Sequence, residues 1–175
     1  MIEGPPPAAQ LDAFPEVVNV APESENDSRF TLPAVDAMCK KLARVRKWTL
    51  DVAACKECHL APRYYTREDN GLIQVWKGFV WCNPPWSDIL PWVKRAWFWW
   101  RERPRLVQTI GMLLPATRTD LDWWQEQVEP YRDQPGSPLH TRFLGSRLKY
   151  GKPGDRYAKT QGQPEFGSVF LWWKR

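Results

Sequence analysis

The sequence predicts an α/β protein: a compact single domain on one mostly parallel sheet. Three observations carry this. Apolar runs of strand character alternate with stretches of helical periodicity. The run Gly78-Phe79-Val80-Trp81-Cys82 is apolar almost throughout, as strands covered on both faces of a parallel sheet are. The chain has 175 residues, 43% hydrophobic and 26% charged, enough for one domain to bury a core without a metal or disulfide.

Residues 1–28 read as a flexible acidic, Pro-rich arm, leaving 29–175 as the domain. The arm holds Pro5-Pro6-Pro7, Pro15 and Pro22, six of the 20 acids and none of the 25 Lys and Arg. The domain therefore keeps 14 acids and 25 bases, a net +11 that suits a polyanionic partner.

The first helix is expected from Phe30, with Thr31 as its cap and Pro33 in its first turn. Ala34, Val35, Met38 and Leu42 recur at helical spacing, and the helix should end near Val45. Residues 48–52 form a short strand that stops abruptly at Asp51 and Ala53-Ala54. Residues 55–78 read as irregular, with Asn70-Gly71 as a turn signal. The strand 78–82 then runs into Asn83-Pro84-Pro85-Trp86, where two prolines end any ladder.

Ser87 or Asp88 is the expected cap of the next helix, with Pro91 in its first turn. Ile89, Trp92, Val93, Ala96, Trp97 and Trp100 make its apolar stripe, with Lys94, Arg95, Arg101 and Arg103 away from it. Phe98 and Trp99 lie off the stripe and are candidates for a partner or second-subunit contact. Pro104 ends this helix. Residues 106–114 read as a strand and 120–128 as a helix, with Trp123 or Trp124 a candidate lining of the site's mouth. Residues 139–150 read as paired short strands and 168–173 as the last strand.

No run of about 18 apolar residues exists, so no membrane span or membrane partner is expected. No basic segment followed by an apolar stretch opens the chain, which argues against a signal peptide and for a cytoplasmic setting. Cys39, Cys55, Cys58 and Cys82 are then expected as thiols. Cys55-x-x-Cys58-His59 has zinc-like local spacing, but without a second ligand pair no metal is assigned.

Open α/β sheets bind ligands beyond the carboxyl ends of their strands. Three such ends carry polar residues here: Asp51, Asn83 and Arg118-Thr119-Asp120. The Asn-Pro-Pro-Trp segment is the strongest signal. Prolines hold the backbone in one shape, so the Asn83 side-chain oxygen and the Pro84 carbonyl can face one amine. Trp86 can stack on a planar group. That set is a receptor for an exocyclic amine on a heterocycle, and a base extruded from a duplex needs such a stack.

Taken in order, the motifs resemble the phage- and prophage-type DNA N6-adenine methyltransferases, a small Dam-type family. The likeness runs through Phe30-Thr31-Leu32-Pro33, Thr49-Leu50-Asp51-Val52-Ala53-Ala54 and Tyr64-Tyr65-Thr66. It continues through Asp69-Asn70-Gly71-Leu72, Val80-Trp81-Cys82-Asn83-Pro84-Pro85-Trp86, residues 113–120 and residues 145–150. The resemblance implies a Rossmann-like class I methyltransferase fold, S-adenosyl-L-methionine as cofactor and DNA as partner. It implies Asn83, Pro84, Pro85 and Trp86 as the catalytic loop. Thr31, Pro33, Asp51, Ala53, Asp69 and Asn83 are the implied cofactor-binding set, with Glu68 open to the role of Asp69. A phage-encoded member would work in the host cytoplasm.

Arg118, Thr119, Arg142, Arg147, Lys149, Lys152 and Arg156 are the candidate nucleic-acid contacts, with Arg118 and Thr119 placed to approach either a phosphate or the cofactor side. The same loop also suits methyl transfer to RNA bases or to protein glutamine. A DNA-binding or host-interaction protein that has lost catalysis is the non-enzymatic alternative, motivated by the compressed cofactor region between Asp51 and Asn83. The sequence leaves the oligomeric state open, a homodimer included.

Overall fold

Alternation along the strands decides how the layers stack. In the computed structural model, which describes residues 30–145, 148, 150–151 and 166–175, the elements run β1 Phe30–Thr31, α1 Pro33–Ala43, β2 Leu50–Asp51 and β3 Arg63–Tyr64. They continue with β4 Gly78–Cys82, α2 Leu90–Glu102, β5 Val107–Pro115, α3 Asp122–Gln125, β6 Leu139–Phe143, β7 Tyr150–Gly151 and β8 Ser168–Lys174. Six strands form one sheet in the order β3-β2-β4-β5-β8-β6, and β1 pairs with β7 apart from it.

β3, β2, β4 and β5 are mutually parallel, and β8 runs antiparallel between β5 and β6. Successive strand residues face opposite sides. Val80, Cys82, Met112, Leu114, Val169 and Leu171 pack with Trp92, Val93, Ala96, Trp97 and Trp100 of α2. Trp81, Leu113 and Phe170 pack with Val35, Cys39 and Ala43 of α1. The helices thus cover opposite faces of a single mixed sheet. Trp48 crosses the second face over Gly111, where a Cβ would stand 2.6 Å from the indole.

The chain departs from the sequence reading at several points. Leu32, not Thr31, sits at the N-cap of α1 and offers no side-chain bond; Thr31 pairs with Tyr150 in β1–β7. α1 stops at Ala43 because Arg44 turns left-handed, its N–H reaching the Lys40 and Lys41 carbonyls. Ile89 replaces Ser87 or Asp88 as the N-cap of α2. The helix expected over 120–128 is a single turn, because the Glu129 N–H skips back to the Trp124 carbonyl and Pro130 follows. The strands expected to pair within 139–150 pair elsewhere, β6 with β8 and β7 with β1.

Arg95 and Trp99, placed off the stripe, are both buried. Arg95 donates to the Gln74 carbonyl at 3.2 Å and lies 5.1 Å from the Trp99 ring. Burial lowers its guanidinium to about 10. Trp99 is 1% exposed, which removes it as a partner contact. The arm, residues 1–28, lies outside the described residues. No helix among the described residues is long and apolar enough to cross a membrane.

Candidate active site at the strand ends

β2 and β4 are neighbours, with Asp51 level with Trp81 in the parallel ladder. Asn83 follows β4 immediately, so Asp51 and Asn83 stand at the same end of adjacent parallel strands.

Asp51 is 2% exposed. Its Oδ1 accepts the Ala53 N–H at 3.3 Å and its Oδ2 accepts the Leu60 N–H at 3.0 Å. One carboxylate therefore ties both ends of the loop 53–60. Burial pushes the Asp51 carboxyl up to about 7, against the smaller opposing pull of those two N–H donors. Within this loop Cys55 and Cys58 are joined as a disulfide, so the expectation of thiols there is corrected. The two-residue spacing lets a tight turn, closed by Cys58 N–H to the Cys55 carbonyl at 3.2 Å, bring the two sulfurs together. Cys39 and Cys82 are thiols, both buried, and burial pushes Cys39 up to about 12. His59 Nδ1 lies 2.9 Å from the Ala61 carbonyl, so that nitrogen carries the proton, and its ring stacks on Tyr64 at 4.2 Å.

The next loop leans on the same strand end. Tyr65 N–H donates to the Asp51 carbonyl at 2.8 Å, and Ala54 N–H to the Tyr65 carbonyl at 2.9 Å. Thr66 donates its N–H and hydroxyl to Asp69 Oδ2 at 2.8 and 2.9 Å. These bonds, the backbone one first, hold the exposed Asp69 carboxyl below its usual range. Asn70 adopts φ 51°, and Gly71 then presses on β2: a Cβ there would stand 2.0 Å from the Val52 carbonyl oxygen. The Asn-Gly pair is needed for turn and contact together.

At the β4 end, Asn83 is half-buried with its Oδ1 fully shielded, and Pro84 is buried. Trp86 is half-buried; its ring packs toward the α1-side core and lies 5.6 Å from Phe166 at 49°. Desolvation raises Asp88, whose N–H closes the loop onto the Pro85 carbonyl at 3.4 Å.

Thr31 is 4% exposed, and its buried hydroxyl oxygen has no partner among the described residues. Pro33 is exposed at the start of α1, and Ala53 is half-buried beside Asp51. Beyond β5, Arg118 takes a left-handed φ of 66° and stands exposed, 3.5 Å from Asp120. The Thr119 carbonyl accepts from Gln125 at 2.7 Å. Arg142 is exposed near the carboxyl end of β6, the same end of the sheet. Arg147, Lys149, Lys152 and Arg156 lie outside the described residues. Trp123 and Trp124 are both buried against the α2-side core, so neither lines a mouth. No group of three or more His, Cys, Asp or Glu able to hold a metal stands together among the described residues.

Sequence reasoning missed β3, the His59–Tyr64 stack and the grip of Asp51 on Leu60. The Cys-x-x-Cys spacing was a visible signal for the first of the two loops, and Asn-Gly for the second.

Residues 23–174 match the family described as DNA N-6-adenine-methyltransferase (Dam). A protein of Escherichia phage T1, named DNA N-6-adenine-methyltransferase, is 35% identical over 85 residues, which is 47% of this chain and 34% of that protein. The matched stretch thus spans about a third of the relative's length. No solved structure matches.

Proposed function

The chain belongs to the DNA N-6-adenine-methyltransferase (Dam) family, and from that premise we propose that it transfers a methyl group from S-adenosyl-L-methionine to adenine N6 in DNA. The observation that carries the proposal is the pairing of Asp51 and Asn83 at the same end of adjacent parallel strands. The sheet order, with β8 reversed between β5 and β6, supports reading the fold as Rossmann-like class I.

The residues present fit the donor. The Thr31 hydroxyl is shielded and unpartnered among the described residues, a costly condition that a polar ligand group relieves. Asp51 fixes the loop that would flank the donor, and Ala53, half-buried beside it, would border the donor there. Pro33 would border its methionine end, and Asp69 or Glu68 its ribose or adenine. When bound, the donor supplies an electrophilic methyl group.

Asn83 Oδ1 and the Pro84 carbonyl accept hydrogen bonds from the two N6 hydrogens. That favours a pyramidal amine whose lone pair is released from the ring. Pro84 and Pro85 fix both acceptors before the base arrives, so little reorganisation is needed in the transition state. No strong base is required, because the amine proton becomes acidic as the new bond forms and leaves to water. Trp86 offers a π-face to the extruded base and offsets part of the cost of unstacking. Arg118, Thr119 and Arg142 would meet the DNA backbone, with the Arg147, Lys149, Lys152 and Arg156 segment extending that contact. The reaction belongs in the cytoplasm of the cell that holds the DNA.

The test is transfer of labelled methyl from S-adenosyl-L-methionine to duplex DNA, RNA and protein extracts, followed by identification of the modified unit. Label recovered as N6-methyladenine from DNA supports the reading. Label in RNA or glutamine supports a rival acceptor. Salt-sensitive DNA binding without donor binding or transfer would mean a non-catalytic protein.

A further inference from the structure

We propose that Cys55 and Cys58 form a reversible thiol–disulfide site that sets the affinity of the donor-binding loop, its reaction partner being a low-molecular-weight thiol–disulfide couple. The inference rests on the reading of the Asp51 loop as part of the donor site.

The loop 53–60 is held by hydrogen bonds, a ring stack and the disulfide. Asp51 grips its two ends through Ala53 and Leu60, and the disulfide closes its middle. The disulfide ring contains only Lys56 and Glu57 between its cysteines, both exposed. Both cysteines are half-buried, within reach of a small thiol. Hydrogen bonds, those with Thr66 first, hold the Glu68 and Asp69 carboxyls low, and the Lys56 charge adds a smaller pull in the same direction. The disulfide therefore holds the backbone that carries this exposed cation, in the stretch before the two acids that are candidates for the donor's ribose or adenine. His59, next to Cys58, carries the constraint on to Tyr64 of β3 through their stacked rings.

Opening the ring is balanced by two external thiols. One thiolate attacks a sulfur of the Cys55–Cys58 bond, giving a mixed disulfide and releasing the other cysteine as a thiolate, which takes a proton. A second thiolate attacks the mixed disulfide, freeing the remaining cysteine and leaving the external pair oxidised. Oxidation is the reverse exchange. A nearby lysine favours the thiolate that exchange requires. Reduction removes the closure in the middle of the loop and leaves it to the Asp51 bonds, the Ala54 N–H to Tyr65 carbonyl bond and the His59–Tyr64 stack, and an ordered loop binds its ligand with less ordering cost than a looser one.

The full chain is equilibrated in excess oxidised or excess reduced glutathione and titrated with S-adenosyl-L-methionine by calorimetry. The state of the two cysteines is read by mass spectrometry. The oxidised protein is expected to bind about tenfold more tightly, a size in keeping with preorganising one short loop. A Cys55→Ser, Cys58→Ser double variant should bind like the reduced protein and ignore glutathione. Hydrogen exchange at the Leu60 amide should be faster in the reduced protein. Equal donor affinity in both states overturns the thiol–disulfide site and leaves the donor reading standing. No donor binding in either state overturns both. Cysteines that stay reduced in oxidised glutathione also overturn it.

Discussion

The ends of β2 and β4 are adjacent in one parallel ladder, but different physics holds each of them. At β2, an ionisable carboxyl is buried and satisfied by two backbone N–H groups, so hydrogen bonds and a disulfide define the loop. At β4, Pro84 and Pro85 define the loop through ring geometry, and the polar residue is an amide that does not titrate. The first arrangement depends on solvent conditions and on neighbouring segments. The second carries its rigidity in its own backbone. A donor site can use the one and an amine receptor the other, since an acceptor pair gains most from being fixed beforehand.

The largest expected effect comes from breaking the support of the β2 end. Gly71→Ala would put a Cβ 2.0 Å from the Val52 carbonyl oxygen, and backbone has to move on one side or the other. A loss of about 3 kcal/mol or more is expected from overpacking against main chain. Urea denaturation at neutral pH measures it. A loss below about 1 kcal/mol would mean the two segments separate freely, and the β2 end would not be the tightly supported half of the comparison.

A smaller effect comes from the carboxyl itself. The folded state holds the Asp51 proton up to about 7, whereas the unfolded chain releases it near the ordinary 3.8. Between those values the unfolded state binds fewer protons, so stability should fall as pH rises from about 4 to about 7. Asp51→Asn should flatten that part of the profile. At low pH it should cost about 1–3 kcal/mol, because an amide nitrogen cannot accept one of the two N–H bonds. Unfolding curves from pH 4 to 8 on both proteins test this, and parallel profiles would contradict a proton held at Asp51.

How much of this could be read from sequence differs in the same way between the two ends. β4 was expected at its observed bounds, because an apolar run followed by two prolines needs no distant partner to be recognised. The apolar stripe of α2 followed from spacing alone. The β2 end depended on contacts from elsewhere. β3 is two residues, Arg63–Tyr64, too short for periodicity, and exists through pairing with Leu50 and Asp51. Spacing places Arg95 away from the apolar stripe, and the Gln74 carbonyl and two aromatic rings give it a buried setting that spacing does not show. Thr31 looked like a helix cap until β7, distant in sequence, paired with it. Of the site, residue identities at the strand ends were legible. The grip of Asp51 on its own loop was not, because backbone donors leave no mark on residue type.

The most direct test of the two-part site is single-turnover methylation of DNA by Asn83→Ala at saturating S-adenosyl-L-methionine, paired with donor titration. The account predicts a donor Kd close to that of the parent protein and a methyl-transfer rate lower by about a hundredfold or more, the scale for losing an oriented acceptor that acts in the transition state. Asn83→Ala methylating DNA at the parental rate would contradict it, and the Asn-Pro-Pro-Trp segment would be a rigid turn with no part in the chemistry.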